Sequence, residues 1–328
     1  MSTPLMQAQG LIKLFPVGKT WVPGSGQMLR AVDGVDIAVE QGETLGLVGE
    51  SGSGKSTLGR CLTRLYDLSG GTLTFEGQDI SALSRRQLRP FRRRVQMIFQ
   101  DPASSLNPRR RVREILAEPL AVHNIRTPRD LPGRLAELMD LVGLPAVYLN
   151  RYPHEFSGGQ RQRIGIARAL AMEPDLIVAD EPVSALDVSA QAQIVNLFAD
   201  LRERLSLTYV FIAHDLGVVR QVSTRVAIMY LGSIVETGAT DLVFETPAHP
   251  YTEALLSAIP VPAVGPAVRR RRIILQGEIP NAVKPPKGCK FVTRCPIAQE
   301  RCRADRPALR PLADGRQVAC HFPREETP

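Results

Sequence analysis

The sequence predicts an α/β protein built on a mostly parallel sheet, with a helical insertion and a small cysteine-rich tail. Three observations predict it. Short segments with unbroken apolar runs, such as Asp175-Leu-Ile-Val-Ala-Asp-Glu181, which ends in two acids, and Tyr209-Val-Phe-Ile-Ala213, read as strands buried on both faces, as parallel strands are. Gly49 to Thr57, GESGSGKST, fits the pattern G-x-x-x-x-G-K-[ST]. It lies between an apolar strand, residues 44–48, and a helix with Leu58, Cys61, Leu62 and Leu65 on one face. From about Val112 to Leu149 helical spacing replaces β-branched runs, through Ile115, Leu116, Leu120, Leu135, Leu138, Met139 and Val142.

In chain order, GLIKLF at 10–15 reads as a first strand, followed by a loop with Gly18, Pro23, Gly24 and Gly26. Val35 to Val39 alternates as a half-buried strand does, and Gly71 to Gly77 is a strand bounded by glycines. Arg94 to Phe99 is a strand ending on Gln100-Asp101-Pro102. After the helical insertion come FSGGQRQR and the helix IGIARALAM. Val188 to Leu205 is an amphipathic helix with Ile194, Leu197, Phe198, Leu201 and Leu205 on one stripe. Strands at 225–230 and 233–236 follow, and after Pro260 the stretch VPAVGPAVRRRR reads as a linker.

At 328 residues the chain has room for one large domain and a small one. Apolar content of 44% and charged content of 23% are those of a soluble globular protein. No run approaches the ~18 apolar residues of a spanning helix. The start MSTPLMQAQG has neither the basic end nor the apolar core of a secretory signal. The expectation is a cytosolic chain with reduced cysteines, whose membrane association comes through a partner. Net charge is +8; ten arginines fall between Arg85 and Arg113, and Arg269 to Arg272 form a run. A nucleic-acid surface is one reading. Solvated helix faces or contact with an anionic membrane are favoured over it, because almost no aromatics interleave.

The glycine loop is the centre of the chemistry. Its glycines let backbone N–H groups turn inward on an anion, and the following helix start adds partial positive charge. Lys55 then reaches the outer phosphates and the Ser56 hydroxyl can ligate Mg²⁺. In an open parallel sheet ligands sit beyond the carboxyl ends of the strands. Gln100, Asp180-Glu181 and His214 each close a strand and should meet the loop there. Asp180 sits where a phosphate-loop enzyme places the carboxylate that helps hold Mg²⁺. Glu181 can orient or deprotonate the attacking water. His214 is either a satisfied structural histidine or a donor to developing phosphoryl charge.

In these residues the chain resembles the ATP-binding subunits of ABC transporters. The resemblance rests on the Walker A loop GESGSGKST, a Q-loop at Gln100, the signature FSGGQ at Phe156 to Gln160, the Walker B strand LIVADE, a D-loop SALD at Ser184 to Asp187 and an H-loop at His214. It implies a P-loop NTPase: a RecA-like core with an antiparallel β-subdomain and an inserted helical subdomain. The nucleotide-binding domain would span 1–260 with the helical subdomain at about 101–165, and a four-cysteine extension would span 261–328. ATP would be held by Gly49, Ser51, Gly52, Ser53, Gly54, Lys55, Ser56, Thr57, Gln100 and Asp180, with Mg²⁺ on Ser56, Gln100 and Asp180. Phe15 lies where the family stacks an aromatic on adenine, and a core strand residue is an equal reading. Two subunits would close head to tail, each ATP capped in trans by Ser157, Gly158, Gly159 and Gln160. Glu181 would act on water, His214, Lys55 and Gln100 would serve the γ-phosphate, and Asp187 would signal across the interface.

A narrower resemblance, to the ATPases of oligopeptide and dipeptide importers, rests on TPAHPYTEALLSAIP, GEIPNAVKPPKGCKF, TRCP and FQDPASSLNPRRRV, the last closest to the second ATPase subunit. It implies two membrane permeases, a second ATPase subunit (a heterodimer in preference to a homodimer), an extracytoplasmic binding protein and no nucleic acid. The place of work would be the cytoplasmic face of the inner membrane. Nickel or other small-solute import is the alternative; a soluble ATPase of this class acting on ribosomes or nucleic acid is a third reading.

Cys61 reads as a small core residue. Cys289, Cys295, Cys302 and Cys320, spaced C-x5-C-x6-C-x17-C, are better read as metal ligands than as disulfides in a reduced compartment. Zinc is the alternative, and no metal a third reading; structural zinc sites often use short C-x2–4-C pairs, which are absent here. Four thiolates suit a [4Fe–4S] cluster, and the importer resemblance points the same way.

Overall fold

The computed structural model describes residues 3–18, 26–101, 105–125, 129–259 and 272–324. Pro102, the loop at Pro23 and Gly24, the predicted linker from Pro260 and the arginines 269–271 lie outside these residues.

Two sheets divide the work. The smaller is antiparallel, in the order β2-β1-β4-β5, from β1 (Met6–Val17), β2 (Gln27–Val39), β4 (Gly70–Phe75) and β5 (Gln78–Asp79). The larger contains β3 (Thr44–Val48), β6 (Val95–Ile98), β7 (Leu176–Asp180), β8 (Thr208–Ala213) and β9 (Arg225–Tyr230), parallel in the order β9-β3-β8-β7-β6. Every residue of β3, β7 and β8 is buried, as their unbroken apolar sequences require. β10 (Ser233–Ala239) returns antiparallel to β9. Register pairs Val48 with Ala213 and Asp180 with Ile212, so three strands end level and release their loops on one rim.

Helices cover this sheet. α1 (Lys55–Leu62) follows the glycine loop, and α2 (Arg89–Arg94) precedes β6. α3 (Val112–His123), α4 (Leu131–Leu141) and α5 (Gly158–Leu170) make the helical insertion. All seven apolar residues that marked it in the sequence are buried. α6 (Val188–Leu205) spans the predicted residues, but Leu205 is 42% exposed, because the buried stripe stops at Leu201. α7 (Leu216–Val222), α8 (Thr240–Glu245) and α9 (Pro250–Ser257) complete the set before the tail.

Several elements differ from expectation. β1 begins at Met6 and β2 at Gln27, because pairing across the hairpin extends beyond the apolar runs. Leu65 is 48% exposed, since α1 stops at Leu62 and Arg64 takes a left-handed φ of 52°. The arginine-rich stretch is partly structural. Arg94 lies between Glu76 at 2.7 Å and Asp175 at 2.5 Å, stacks on Phe75, and so ties the two sheets together.

The tail does not stand apart. Beyond α10 (Glu300–Ala304), β11 (Arg310–Pro311) and β12 (Gln317–Val318) extend the larger sheet, with Val318 opposite Glu236 of β10. Phe291, 1% exposed, packs into the main core. Lys290 donates to Asp33 at 2.8 Å, to the Ser233 hydroxyl at 2.7 Å and to the Leu231 carbonyl at 2.7 Å. Burial pushes the Lys290 ammonium down to about 8 although Asp33 opposes it. Burial alone would raise the Asp33 carboxyl. Lys290, then Arg306 and Arg30, hold it below its ordinary value. Among the described residues no helix is long and apolar enough to cross a membrane.

Candidate active site

The glycine loop leaves the end of β3 and turns into α1. Two of its glycines are dictated by crowding. A Cβ on Gly49 would lie 2.1 Å from the Met229 carbonyl oxygen, and one on Gly54, at φ 104°, 2.1 Å from that of Ala31. The loop therefore packs against Ala31 within β2 and Met229 near the end of β9. Gly52 is left-handed too, at φ 77°. Ser51 and Gly52 are exposed, whereas Ser53 and Lys55 are buried.

Lys55 folds back over its own loop. Its Nζ donates to the Gly49 carbonyl at 2.6 Å, the Glu50 carbonyl at 2.9 Å and Ser53 Oγ at 3.4 Å. Burial lowers its affinity for the proton, while Glu181, Asp180 and Glu50 favour the charged form. Ser56 Oγ donates to Asp180 Oδ1 at 2.7 Å, and Arg60 stands 4.0 Å from the other carboxylate oxygen. Asp180 is 1% exposed and burial raises its carboxyl; the Ser56 hydrogen bond and Arg60 pull the other way.

The neighbouring strand ends supply the remaining groups. Glu181 follows β7 with φ 47°, a left-handed conformation uncommon outside glycine, fixed by its N–H to the Ile212 carbonyl at 2.9 Å. One carboxylate oxygen, Oε2, accepts from Gln100 Nε2 at 2.9 Å and faces His214 Nδ1 at 3.2 Å. Gln100, Glu181 and His214 line one open cleft of about 450 Å³ with Gly52, Gly54, Lys55, Ser56 and Thr57. It is also lined by Leu29, Arg30, Ala31 and Gly232, which no local pattern marked, and by Ala282 of the GEIPNAVKPPKGCKF stretch. The arrangement can bind a polyanion on the loop, hold a hard cation beside Ser56 and Asp180, and present a carboxylate to water.

Phe15 lies elsewhere. It is half-buried on β1, its ring edge-on to Tyr66 at 5.5 Å and 5.0 Å from the Lys13 ammonium. It is not among the residues that line the cleft.

The signature forms a separate helix start. Ser157 caps α5, its Oγ accepting from the Gln160 N–H at 3.3 Å, while Gln160 Oε1 accepts from the Ser157 N–H at 3.1 Å. Ser157 and Gly158 are exposed and line no part of the cleft. A Cβ on Gly158 would rest 3.4 Å from Leu186, and one on Gly159 3.3 Å from Ala190. The signature thus abuts the start of α6, where exposed Asp187 accepts from the Ala190 N–H at 2.9 Å.

Cys61 is fully buried and its thiol is pushed up to about 12 by that burial. The tail cysteines are free thiols. The Cys289 N–H donates to the Cys302 carbonyl at 2.8 Å. Burial raises the Cys289 and Cys295 thiols, and lifts Cys320 to about 11; the neighbouring tail thiols add to each rise. Among the described residues no group of three or more His, Cys, Asp or Glu is placed to hold a metal ion. Cys289 and Cys295 pack against the main core, while Cys320 packs with Ala248 and Val318.

Comparison with known proteins agrees with the cleft. Residues 32–184 match the family model described as ABC transporter, and residues 235–302 match that described as the C-terminal region of oligopeptide/dipeptide transporters. The chain is 50% identical over 319 residues to the oligopeptide transport ATP-binding protein AppF of Bacillus subtilis, covering 97% of each. It is 47% identical to the dipeptide transport ATP-binding protein DppF of Haemophilus influenzae, again over 97% of each. Among solved structures, the dimeric post-hydrolysis state of the ATP-binding cassette MJ0796 bound to ADP and Pi matches with a TM-score of 0.64 at 27% identity. That match covers 72% of this chain and 98% of that one.

Proposed function

The chain belongs to the ABC transporter ATP-binding subunits of the oligopeptide/dipeptide type, and from that membership we propose that it hydrolyses ATP to drive import of short peptides. The observation that carries the ATPase reading is the single carboxylate oxygen of Glu181 shared by Gln100 and His214 at the mouth of the glycine loop.

On this reading the loop N–H groups and Lys55 hold the β- and γ-phosphates. Lys55 exchanges its contacts with the Gly49 and Glu50 carbonyls for phosphate oxygens. Glu181 takes the proton of the attacking water, positioned by Gln100 and His214, and His214 donates to the γ-phosphate. Ser56 and Asp180 fit a Mg²⁺ ion, a hydroxyl beside a buried carboxylate; the ion supplies charge neutralisation of the phosphates. Ser157, Gly158 and Gly159 cap the ATP of a second subunit, and Asp187 carries information across that interface. The exposure of Ser157, Gly158 and Asp187, away from the cleft on the same chain, supports action in trans.

The partners proposed are two permeases, a second ATPase subunit in preference to a second copy, and an extracytoplasmic binding protein, at the cytoplasmic face of the membrane. A groove of about 440 Å³ between β6 and α3, lined by Met97, Phe99, Pro119 and Val122, lies beside Gln100, where such a permease would couple. We also propose the four tail cysteines as a cluster-binding set. Its support is four cysteines within one short tail, with the Cys289 N–H on the Cys302 carbonyl at 2.8 Å; no hydrolytic step passes through it.

Co-purification in detergent tests the function. Recovery of two permeases and peptide-stimulated ATPase activity in proteoliposomes is the expected result; stimulation by nickel instead of peptide overturns the cargo. Iron content and a band near ~400 nm after anaerobic purification test the cluster. A colourless, zinc-loaded protein overturns it.

A further inference from the structure

Glu50, the second residue of the glycine loop, is held from three directions. Its carbonyl accepts from Lys55 at 2.9 Å. Its N–H donates to the Tyr251 hydroxyl at 2.9 Å. Its carboxylate receives both terminal nitrogens of Arg294, at 2.7 and 3.0 Å. The last two partners lie 201 and 244 residues away along the chain, on α9 and in the tail.

Those partners stand on a rigid base. Tyr251 is fully buried, and its ring packs on Tyr230 at 4.7 Å and on Phe291 at 5.4 Å. The Arg294 side chain is 8% exposed and reaches across the Tyr230 ring. His249 caps α9 by accepting the Tyr251 N–H at 3.0 Å, which fixes where Tyr251 begins. Lys290, four residues before Arg294, is clamped to Asp33 and Ser233. The segment 289–295 is thereby fastened at both ends, with Arg294 aimed at the loop.

We propose that Arg294 and Tyr251 are positioning residues of the ATP site, which act through Glu50 on the phosphate loop and make the C-terminal segment a working part of nucleotide binding. The proposal rests on the reading that this loop holds ATP. A carboxylate within a loop built for a polyanion repels the ligand unless it is neutralised, and the forked pair with Arg294 does so without placing a second flexible cation in the cleft. Tyr251 fixes the backbone at the same residue, whose carbonyl anchors Lys55. Neither side chain lines the cleft, so both act at one remove. The effect falls on ATP affinity, because Glu181, Gln100 and His214 keep their own contacts.

The test is ATP titration of steady-state hydrolysis by the full-length chain with its partner subunits. Arg294→Ala should raise KM for ATP about tenfold and leave kcat within about twofold. Adding Glu50→Gln to Arg294→Ala should bring KM back to within about threefold of wild type, because the uncompensated charge is gone. Arg294→Lys should rescue only in part, since an ammonium cannot fork. Tyr251→Phe should raise KM about threefold. A KM for Arg294→Ala within twofold of wild type, or no recovery on adding Glu50→Gln, overturns the proposal. If Arg294→Ala does not fold, Tyr251→Phe and the double variant Glu50→Gln/Arg294→Met decide in its place. Failure of wild type to bind ATP would instead overturn the reading of the loop.

Discussion

Two helix starts in this molecule are built for anions, and they are held very differently. The glycine loop before α1 is pressed against β2 and β9, its lysine buried and its second residue gripped by Tyr251 and Arg294. The signature before α5 is exposed, and its cap bonds come from its own residues, Ser157 and Gln160. A ligand that met only the loop would be bound on one side. A ligand that met only the signature would find a half-formed cradle open to water. On the proposed reading, in which the bare half of a second subunit completes the site, a single chain should bind ATP but turn it over slowly.

The largest expected effect breaks the chemistry and leaves both starts intact. Glu181→Gln keeps the Gln100 and His214 neighbours but removes the base, and hydrolysis should fall by roughly 10²–10⁴-fold. Nucleotide binding should survive, and ATP should trap a closed dimer on size-exclusion chromatography. Near-normal phosphate release in that variant would remove Glu181 from its role. Next in size, Ser157→Arg should cut hydrolysis by about 10²-fold by filling the signature cradle, while ATP affinity of the separated chain stays unchanged. A loss of affinity in the isolated chain would mean that the signature serves its own loop, and the contrast between the two helix starts would collapse.

The sequence carried one side of this contrast far better than the other. The glycine loop, the buried strands β7 and β8 and the span of α6 are local patterns, in which spacing and apolarity within a dozen residues decide the outcome. Glu181, Gln100 and His214 were reachable by one further step, because strands that lie parallel must end together. The grip on Glu50 was not legible. Its partners lie far away in the chain, and the motifs that carry them, HPYT and TRCP, stood out as family markers with no stated task. Nor could spacing alone place the tail. Val318 and Gln317 form a two-residue strand, too short for any periodic signal, yet they fasten the tail to β10. The four cysteines mark the limit on the other side: a spacing that reads as a ligand set does not fix how the thiols turn.

A subtler prediction probes the grip itself through pH. His249 is fully buried and neutral, its Nδ1 occupied by the Tyr251 N–H, and burial depresses its proton affinity to about 3. The unfolded chain takes up that proton near pH ~6.5, the folded chain only far lower. Stability from this group is therefore full above pH ~6.5 and is lost at about 1.4 kcal/mol per pH unit below it. Glu236, which accepts the N–H groups of Ala248 and His249, is raised by burial, so its protonation in acid offsets part of the loss. His249→Asn keeps a cap for α9 and cannot titrate. Urea melts at pH 7, 6 and 5 should show the wild type losing ground relative to this variant. Parallel pH dependence of the two would remove His249 as the titrating group.

The smallest effect separates fold from communication at the edge of the signature. Asp187 caps α6 through the Ala190 N–H and the Ser189 hydroxyl, and these bonds hold its carboxyl below the ordinary range. Asp187→Ala should lower the melting temperature by roughly 2 °C, and Asp187→Asn should restore it, because asparagine caps as well as aspartate. Hydrolysis gives the second readout. If the carboxylate only caps, Asp187→Asn should recover turnover together with stability. If Asp187 also works across the subunit interface, Asp187→Asn should melt like wild type and still hydrolyse ATP several-fold more slowly in the assembled dimer. The second result is expected, because Asp187 is exposed beside Val188, whose side chain is also open to solvent, at the rim where the signature meets α6.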